Sequence, residues 1–263
     1  MPNQSQALLK SLHLLTRDGK LNADTLRKLK QVNHLVGLIA PALDDVFERY
    51  PNPVLVDAGS GNAYLGFVLY ELFFKDRENG EVICVESRAD LHERAKARAA
   101  ELGFTRMRFI HSPVEGAELP AKLHVVTALH ACDTATDDAI VRGIKHDTAL
   151  IVVAPCCQKE LRPQLHAAPV LAPALRHGIF QERHAEFVTD AIRALLLEWA
   201  GYDTKVFEFI STEHTAKNLM IAATRRPGIA RDEAAAAKVR ELAAFYGIRT
   251  QALARQLGFQ LVA

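Results

Sequence analysis

Residues 54–66, Val-Leu-Val-Asp-Ala-Gly-Ser-Gly-Asn-Ala-Tyr-Leu-Gly, set a carboxylate, Asp57, just ahead of two glycines, Gly59 and Gly61. A β-branched run breaks into a turn of small residues and restarts as an apolar helical run from Tyr64 to Phe74. A strand, turn and helix of this kind bring backbone N–H groups close to a ligand, and glycine permits the approach because it has no Cβ. The dinucleotide fingerprint G-x-G-x-x-G asks for a third glycine or alanine, and that position is Tyr64. A carboxylate at the mouth of the turn would repel a pyrophosphate. It suits a ligand that carries an ammonium group and a sulfonium centre, so the turn points to S-adenosylmethionine rather than NAD.

Other residues with chemistry follow other predicted strands, where ligands of open α/β sheets bind. Glu86 ends the second strand, 27 residues beyond Gly59. An acid there accepts hydrogen bonds from ribose hydroxyls; the alternative is an acid stabilised by a helix N-terminus. Ser112 to Glu115 follows the third strand and either flanks an adenine ring or, at Glu115, simply caps a turn. The fourth strand runs into Leu129, His130, Cys132 and Asp133, and the fifth into Pro155, Cys156, Cys157 and Gln158. If those strands are neighbours, the groups converge where a transferable methyl would point. Three readings are open. One is a zinc site of His and Cys ligands, which adjacent cysteines and the lack of C-x-x-C disfavour. Another is covalent catalysis by Cys156 or Cys157, with Asp133 handling the proton. The third, which the residues favour, is a shaped pocket with Asp133 or His130 as base or substrate holder while the cysteines pack.

Two further groups are ambiguous. Thr189, Asp190 and Arg193 lie on a long helix, as solvated or capping groups or as site residues. The turn Glu213–Asn218 offers Lys217 and Asn218 as substrate contacts or is a plain polar turn.

The elements that must position these groups alternate. Strands are expected over 54–57, 82–85, 107–110, 123–129, 149–154, 204–210 and 218–224, with Glu86 at the tip of the second. Helices are expected over 4–17, 24–49, 88–102, from about Thr134, and over 184–200. Leu26, Leu29, Val32, Leu35 and Val36 recur at helical spacing. Asn22 or Asp24 is a candidate cap for that helix, and Pro41 is expected to end or kink it. Its Arg27, Lys28, Lys30, Asn33 and His34 form either a solvated face or a basic lid. Thr134 with Asp137 reads as a capping box. A broken helical stretch with several prolines spans 159–176. Alternation of this length implies an α/β fold with a buried parallel sheet, and the final strand pair implies an antiparallel edge. The tail, 231–257, reads as two Ala-rich helices around Gly247. Residues 243–253 have helix-turn-helix spacing, without a dense basic face.

The 263 residues suffice for one large α/β domain with additions or for two small ones. Apolar residues make up 49% and charged residues 24%, as in a protein with a sizeable core. The net charge of +1 argues against a strongly electrostatic nucleic-acid binder, though not against a local basic face. The opening residues do not read as a secretory signal, and the apolar runs near 123–129 and 149–157 are too short to span a membrane. The expectation is a cytoplasmic protein with reduced cysteines.

Taken together, His130-Ala131-Cys132-x-x-Ala135-Thr136-Asp137 and Ala154-Pro155-Cys156-Cys157 resemble a family of S-adenosylmethionine-dependent methyltransferases. It includes bacterial members, animal methyltransferase-like proteins and eukaryotic tRNA acceptor-stem ribose 2′-O-methyltransferases. The resemblance runs from about Arg27 to Thr224. It implies a Rossmann-like seven-stranded sheet, mostly parallel with an antiparallel last strand, and N- and C-terminal helices. It implies S-adenosylmethionine held at Asp57, Gly59, Gly61 and Glu86, with Leu129 and His130 on the methyl-facing side. Asp133, Cys156 and Cys157 would then border the acceptor. The tRNA enzymes follow their paired cysteines with His and carry zinc-finger segments; here Gln158 stands in that place and no finger is present. RNA, tRNA or rRNA, is the acceptor favoured by analogy, ahead of protein or a small molecule. A methyltransferase fold serving only as a binding module is the alternative of a different class. The expected organisation is an N-terminal helical segment over 1–50, a methyltransferase domain over 51–226 and a C-terminal helical extension over 227–263.

Overall fold

The computed structural model describes residues 4–15, 23–129, 131, 134–156, 158–165, 170–208 and 219–262. Among the described residues seven strands form one sheet in the order β3-β2-β1-β4-β5-β7-β6. They are β1 (Val54–Ala58), β2 (Glu81–Glu86), β3 (Met107–His111), β4 (Val125–Leu129), β5 (Leu150–Ala154), β6 (Tyr202–Glu208) and β7 (Leu219–Arg225). The first five pair in parallel. β7 is antiparallel to both β5 and β6. The last strand in sequence is thus the antiparallel one, and the final pair β6–β7 forms the antiparallel edge that the sequence implied, with β7 lying between β5 and β6. Burial explains the order: Met220, Ile221 and Ala223 of β7 are buried, whereas β6 exposes most of its residues and takes the edge.

Helices cover both faces. α1 (Gln6–Ser11), α2 (Ala23–Arg49), α3 (Tyr64–Leu69) and α4 (Ala89–Glu101) belong to one face, with Leu55, Val82, Cys84 and Val125 of the strands in the same cluster. α5 (Thr134–Lys145), the short α6 (Ala172–Leu175), α7 (Gly178–Trp199), α8 (Glu233–Tyr246) and α9 (Ala252–Gln256) complete the chain. Residues of α5, α7, α8 and α9 share the second cluster with Val56, Ile83, Val85 and Val126. Successive strand residues thus feed opposite clusters, as the two-residue period of a strand requires. Because both faces are covered, the strands read as continuous apolar runs.

Several sequence expectations need correction. Pro41 lies inside α2 and does not end it. Of the expected α2 stripe, Leu35 and Val36 are buried while Leu26 is exposed. α1 is shorter than 4–17 and is followed by His13 in the left-handed region. The run after Leu69 continues as a π-helical turn, Tyr70–Phe74, rather than as α-helix. Of the stretch 159–176, only Ala172–Leu175 is helical among the described residues. α7 begins at Gly178, earlier than 184; its first turns are exposed, so no buried stripe marked them in the sequence. Residues 243–253 spend their apolar spacing on the core: Ala243, Ile248 and Leu253 are all buried.

Candidate active site

The strand order reverses between β1 and β4: the chain leaves β1 toward β2 on one side and returns to β4 on the other. Such a switch point leaves a crevice at the carboxyl ends of the strands. The β1–α3 turn lines it. Gly59 and Gly61 have φ of 65° and 57°, a region that disfavours any side chain. A Cβ on Gly59 would lie 3.4 Å from Cβ of Ala131, so the turns after β1 and β4 touch. Ala63, the residue before α3, is also left-handed, with φ of 55°. The backbone is coiled tightly: the Ser60 N–H donates to the Val85 carbonyl at 2.9 Å and the Ala63 N–H to the Ser60 carbonyl at 2.7 Å.

Glu86 faces this turn from the tip of β2. One carboxylate oxygen accepts the Gly61 N–H at 2.7 Å, and the other accepts the Arg88 backbone N–H and Nε–H, both at 2.9 Å. Burial pushes this carboxyl up, but the bonds from Arg88 and Gly61 and the Arg88 charge outweigh it and hold it below its usual range. A carboxylate has about four acceptor positions, so these bonds leave about one open. The Arg88 side chain is 63% exposed and can withdraw into water, which frees another.

Asp57 sits differently. It is 2% exposed and lies beneath the turn rather than at its mouth. Its oxygens accept the Gly66 N–H at 3.2 Å and the Thr127 hydroxyl at 3.2 Å, fastening α3 to β1 and β4. Burial pushes its pKa up to about 7; the bonds from Thr127 and Gly66 work against that rise and the Glu86 charge adds to it. Gly66 does what the missing third glycine does in the dinucleotide fingerprint. A Cβ there would lie 2.9 Å from Sγ of Cys84 and 3.2 Å from the Asp57 carboxylate. Sequence reasoning passed over it because it falls two residues late for the fingerprint; the signal was a glycine inside an apolar helical run.

On the other side of the crevice, Leu129 ends β4 half-buried, and Pro155 and half-buried Cys156 follow β5. β4 and β5 are direct neighbours, with Leu129 opposite Ala154, so the segments that follow them leave the sheet side by side. His130, Cys132, Asp133 and Cys157 lie outside the described residues, as do Lys217 and Asn218 between β6 and β7.

Behind this edge is a buried ionic network of residues that the sequence left open between solvated or capping groups and site residues. Arg193 is 1% exposed and donates to both oxygens of Asp137, at 2.8 and 3.1 Å, and to Asp190 at 3.0 Å. Asp190 also accepts from the Gln158 amide at 2.9 Å, and Asp137 from Gln251 at 3.3 Å. Asp137 is therefore no partner in a capping box; it is fully buried against Arg193. Burial pushes the Asp190 carboxyl up, and the Arg193 charge offsets part of that rise. Through Gln158, the network pins the residues just after β5. The Gln158 amide oxygen is buried and has no hydrogen-bond partner among the described residues.

A family model described as a methyltransferase domain matches residues 27–164. Curated proteins of Bos taurus and Homo sapiens, each named glutathione S-transferase C-terminal domain-containing protein, are 32% identical over 142 residues. That region is 54% of this chain and 20% of theirs, so the chain spans about a fifth of the length of these relatives. Among solved structures, magnesium protoporphyrin IX methyltransferase (ChlM) from Synechocystis PCC 6803 with bound SAH is similar in fold, with a TM-score of 0.51. It is 12% identical, and the likeness covers 82% of this chain and 93% of that one.

Proposed function

The chain belongs to the methyltransferase-domain family, and on that premise we propose that it carries a methyl group from S-adenosylmethionine to an acceptor over the carboxyl ends of β4 and β5. The observation that carries this reading is the left-handed Gly59–Gly61 turn facing Glu86 at the tip of β2, beside the switch point. When bound, S-adenosylmethionine supplies an electrophilic methyl group on a sulfonium. The chain's own residues have three tasks. Gly59 and Gly61 admit the cofactor against bare backbone. Glu86 accepts from its ribose hydroxyls, using its open acceptor position and the one released when Arg88 withdraws. Asp57 contributes from below, by fixing the start of α3.

Transfer from a sulfonium is an in-line displacement, so catalysis consists chiefly of aligning nucleophile and methyl and removing one proton from the acceptor. We assign proton removal or substrate holding to Asp133 and His130, which follow β4 in sequence. Cys156 and Cys157 border the acceptor after β5, and Lys217 and Asn218 contact it from the β6–β7 connection. Leu129 lines the methyl-facing side. RNA is the acceptor class we favour, on the likeness to tRNA ribose methyltransferases, and the cytoplasm the compartment. Among the described residues no helix is long and apolar enough to cross a membrane.

Calorimetric titration with S-adenosylmethionine tests the cofactor half of this reading. Wild type is expected to bind, and Glu86→Ala to bind about tenfold or more weakly, since a hydrogen bond to a charged group contributes about 1.5–3 kcal/mol. Absence of binding by the wild type would sink it. Transfer of labelled methyl into fractionated cell extract tests the acceptor: label in protein or small molecules alone overturns RNA.

A further inference from the structure

A cationic cavity lies on the acceptor side of the sheet and plays no part in the assignments above. β7 is antiparallel to β5 and β6, so β6 runs in the same direction as β5. α7 leads into the start of β6 and must therefore begin at the carboxyl edge of the sheet and run back along it. Its first turns share that edge with Gly59, Gly61 and Glu86. Here a cavity of about 360 Å³ is lined by Arg162, Leu165, Leu175, Arg176, Gln181 and His184, among others.

Its polar lining is cationic or neutral. Arg162 makes a long bond of 3.5 Å to the Gln181 amide oxygen, and Nε of Arg176 donates to Nε2 of His177 at 3.1 Å. Among the described residues neither guanidinium has a carboxylate partner. Arg183 pairs with Glu186 on this part of α7, and that pair involves neither of them. Nε2 of His184 is buried and has no hydrogen-bond partner among the described residues, and its ring stands edge-on to Tyr246 at 4.9 Å. Two arginines without acids and an unanswered imidazole nitrogen around one cavity make a receptor for an anion.

The rim supplies a second, independent feature. Phe180 is 51% exposed, and its ring meets His177 at 5.9 Å, so it stands beside the Arg176–His177 pair. Phe187 and Ile179, each 61% exposed, extend the same surface. Single-stranded nucleic acids are bound by this combination, with cationic groups along the phosphates and exposed aromatic faces under unpaired bases. A free phosphate needs no aromatic rim. The overall charge of +1 is no obstacle, because only the local charge meets the strand.

We propose that this cavity holds a backbone phosphate of a single-stranded RNA segment, with Phe180 stacking on the adjacent base. The proposal rests on the reading of the acceptor as RNA, and it gives that acceptor a seat beside β5. The test is fluorescence anisotropy of the full chain with a labelled oligouridylate over a potassium chloride series. Arg162→Gln with Arg176→Gln is expected to weaken binding about tenfold and to lower the salt slope by about 0.7, the value for one phosphate contact on a single strand. Phe180→Ala is expected to weaken binding about fivefold or more with the slope unchanged, since stacking releases no counterions. These side chains are exposed, and calorimetry with S-adenosylmethionine reports on the fold of each variant. Equal affinity and equal slope in the double arginine variant overturn the proposal. So does displacement of the strand by a phosphopeptide as readily as by unlabelled RNA. A wild type that binds S-adenosylmethionine but no RNA overturns the cavity assignment and leaves the methyltransferase reading standing; binding of RNA without S-adenosylmethionine does the reverse.

Discussion

Two ion pairs of nearly equal length define the two halves of this molecule. Glu86 meets Arg88 at 2.9 Å and Asp137 meets Arg193 at 2.8 Å. The Arg88 side chain is 63% exposed, whereas those of Arg193 and Asp137 are 1% and 0% exposed. The first pair can open at little cost because water takes over the guanidinium. The second cannot, because each partner would be left charged in an apolar surround. The difference divides the labour. The side proposed for the cofactor keeps its carboxylate in an exchangeable contact. The side proposed for the acceptor uses its charges to lock α5, α7 and the segment after β5 into one arrangement. Distance alone would have called the two pairs equivalent.

The sharpest way to break this contrast is Arg193→Met. It leaves Asp137 and Asp190 buried without their counter-charge, and stability is expected to fall by about 3–5 kcal/mol in urea unfolding. A loss comparable to that of an exposed pair would show that the network is not the lock described here.

Asp57 tests whether burial or location matters, because it belongs to the cofactor side yet is buried like Arg193. Its pKa in the fold is about 7 against an ordinary value of 3.8. Between those values the folded chain holds a proton that the unfolded chain has released. Asp57 therefore contributes stability that is complete below about pH 4 and is lost as pH rises through about 7, with a slope of at most about 1.4 kcal/mol per pH unit. Asp57→Asn should remove that slope. Melting curves from pH 4 to about pH 8 are expected to show the wild type losing ground to the variant as pH rises; parallel curves would contradict the assignment.

The smallest effect belongs to Arg88→Ala. Only the Arg88 half of the pair is exposed, but Glu86 keeps the backbone N–H bonds from Gly61 and Arg88, so stability is expected to fall by about 1 kcal/mol. Cofactor affinity is expected to rise by about two- to threefold, because a competitor for Glu86 is gone, in line with an exposed pair's fractional kcal/mol. A loss of affinity in titration would mean that Arg88 holds the cofactor instead of making way for it.

Most of the cofactor side was legible in the residues because its determinants are local. Gly59 and Gly61 announce the turn through the conformations they alone tolerate, and Glu86 is located by counting along one strand-turn-helix unit. The alternation of apolar strands and amphipathic helices likewise implied the α/β sheet, since a strand buried on both faces has to be apolar throughout. The acceptor side was read less well. Arg193, Asp190 and Thr189 look like an ordinary polar helix face until Asp137, 56 residues earlier, is brought against them. The start of α7 and the cavity beside it escaped notice because exposed turns carry no periodic signal.

By itself, then, the sequence determined the fold class, the position of the left-handed Gly59–Gly61 turn and the acid that faces it, because each depends on backbone preferences and spacing within one unit. Only the tertiary structure decided that β7 slots between β5 and β6, that Asp57 lies under the turn instead of at its mouth, and that Arg193 is a buried lock rather than a solvated charge. Those outcomes depend on which distant segments exclude water from one another, and burial of that kind is written in no single stretch of the chain.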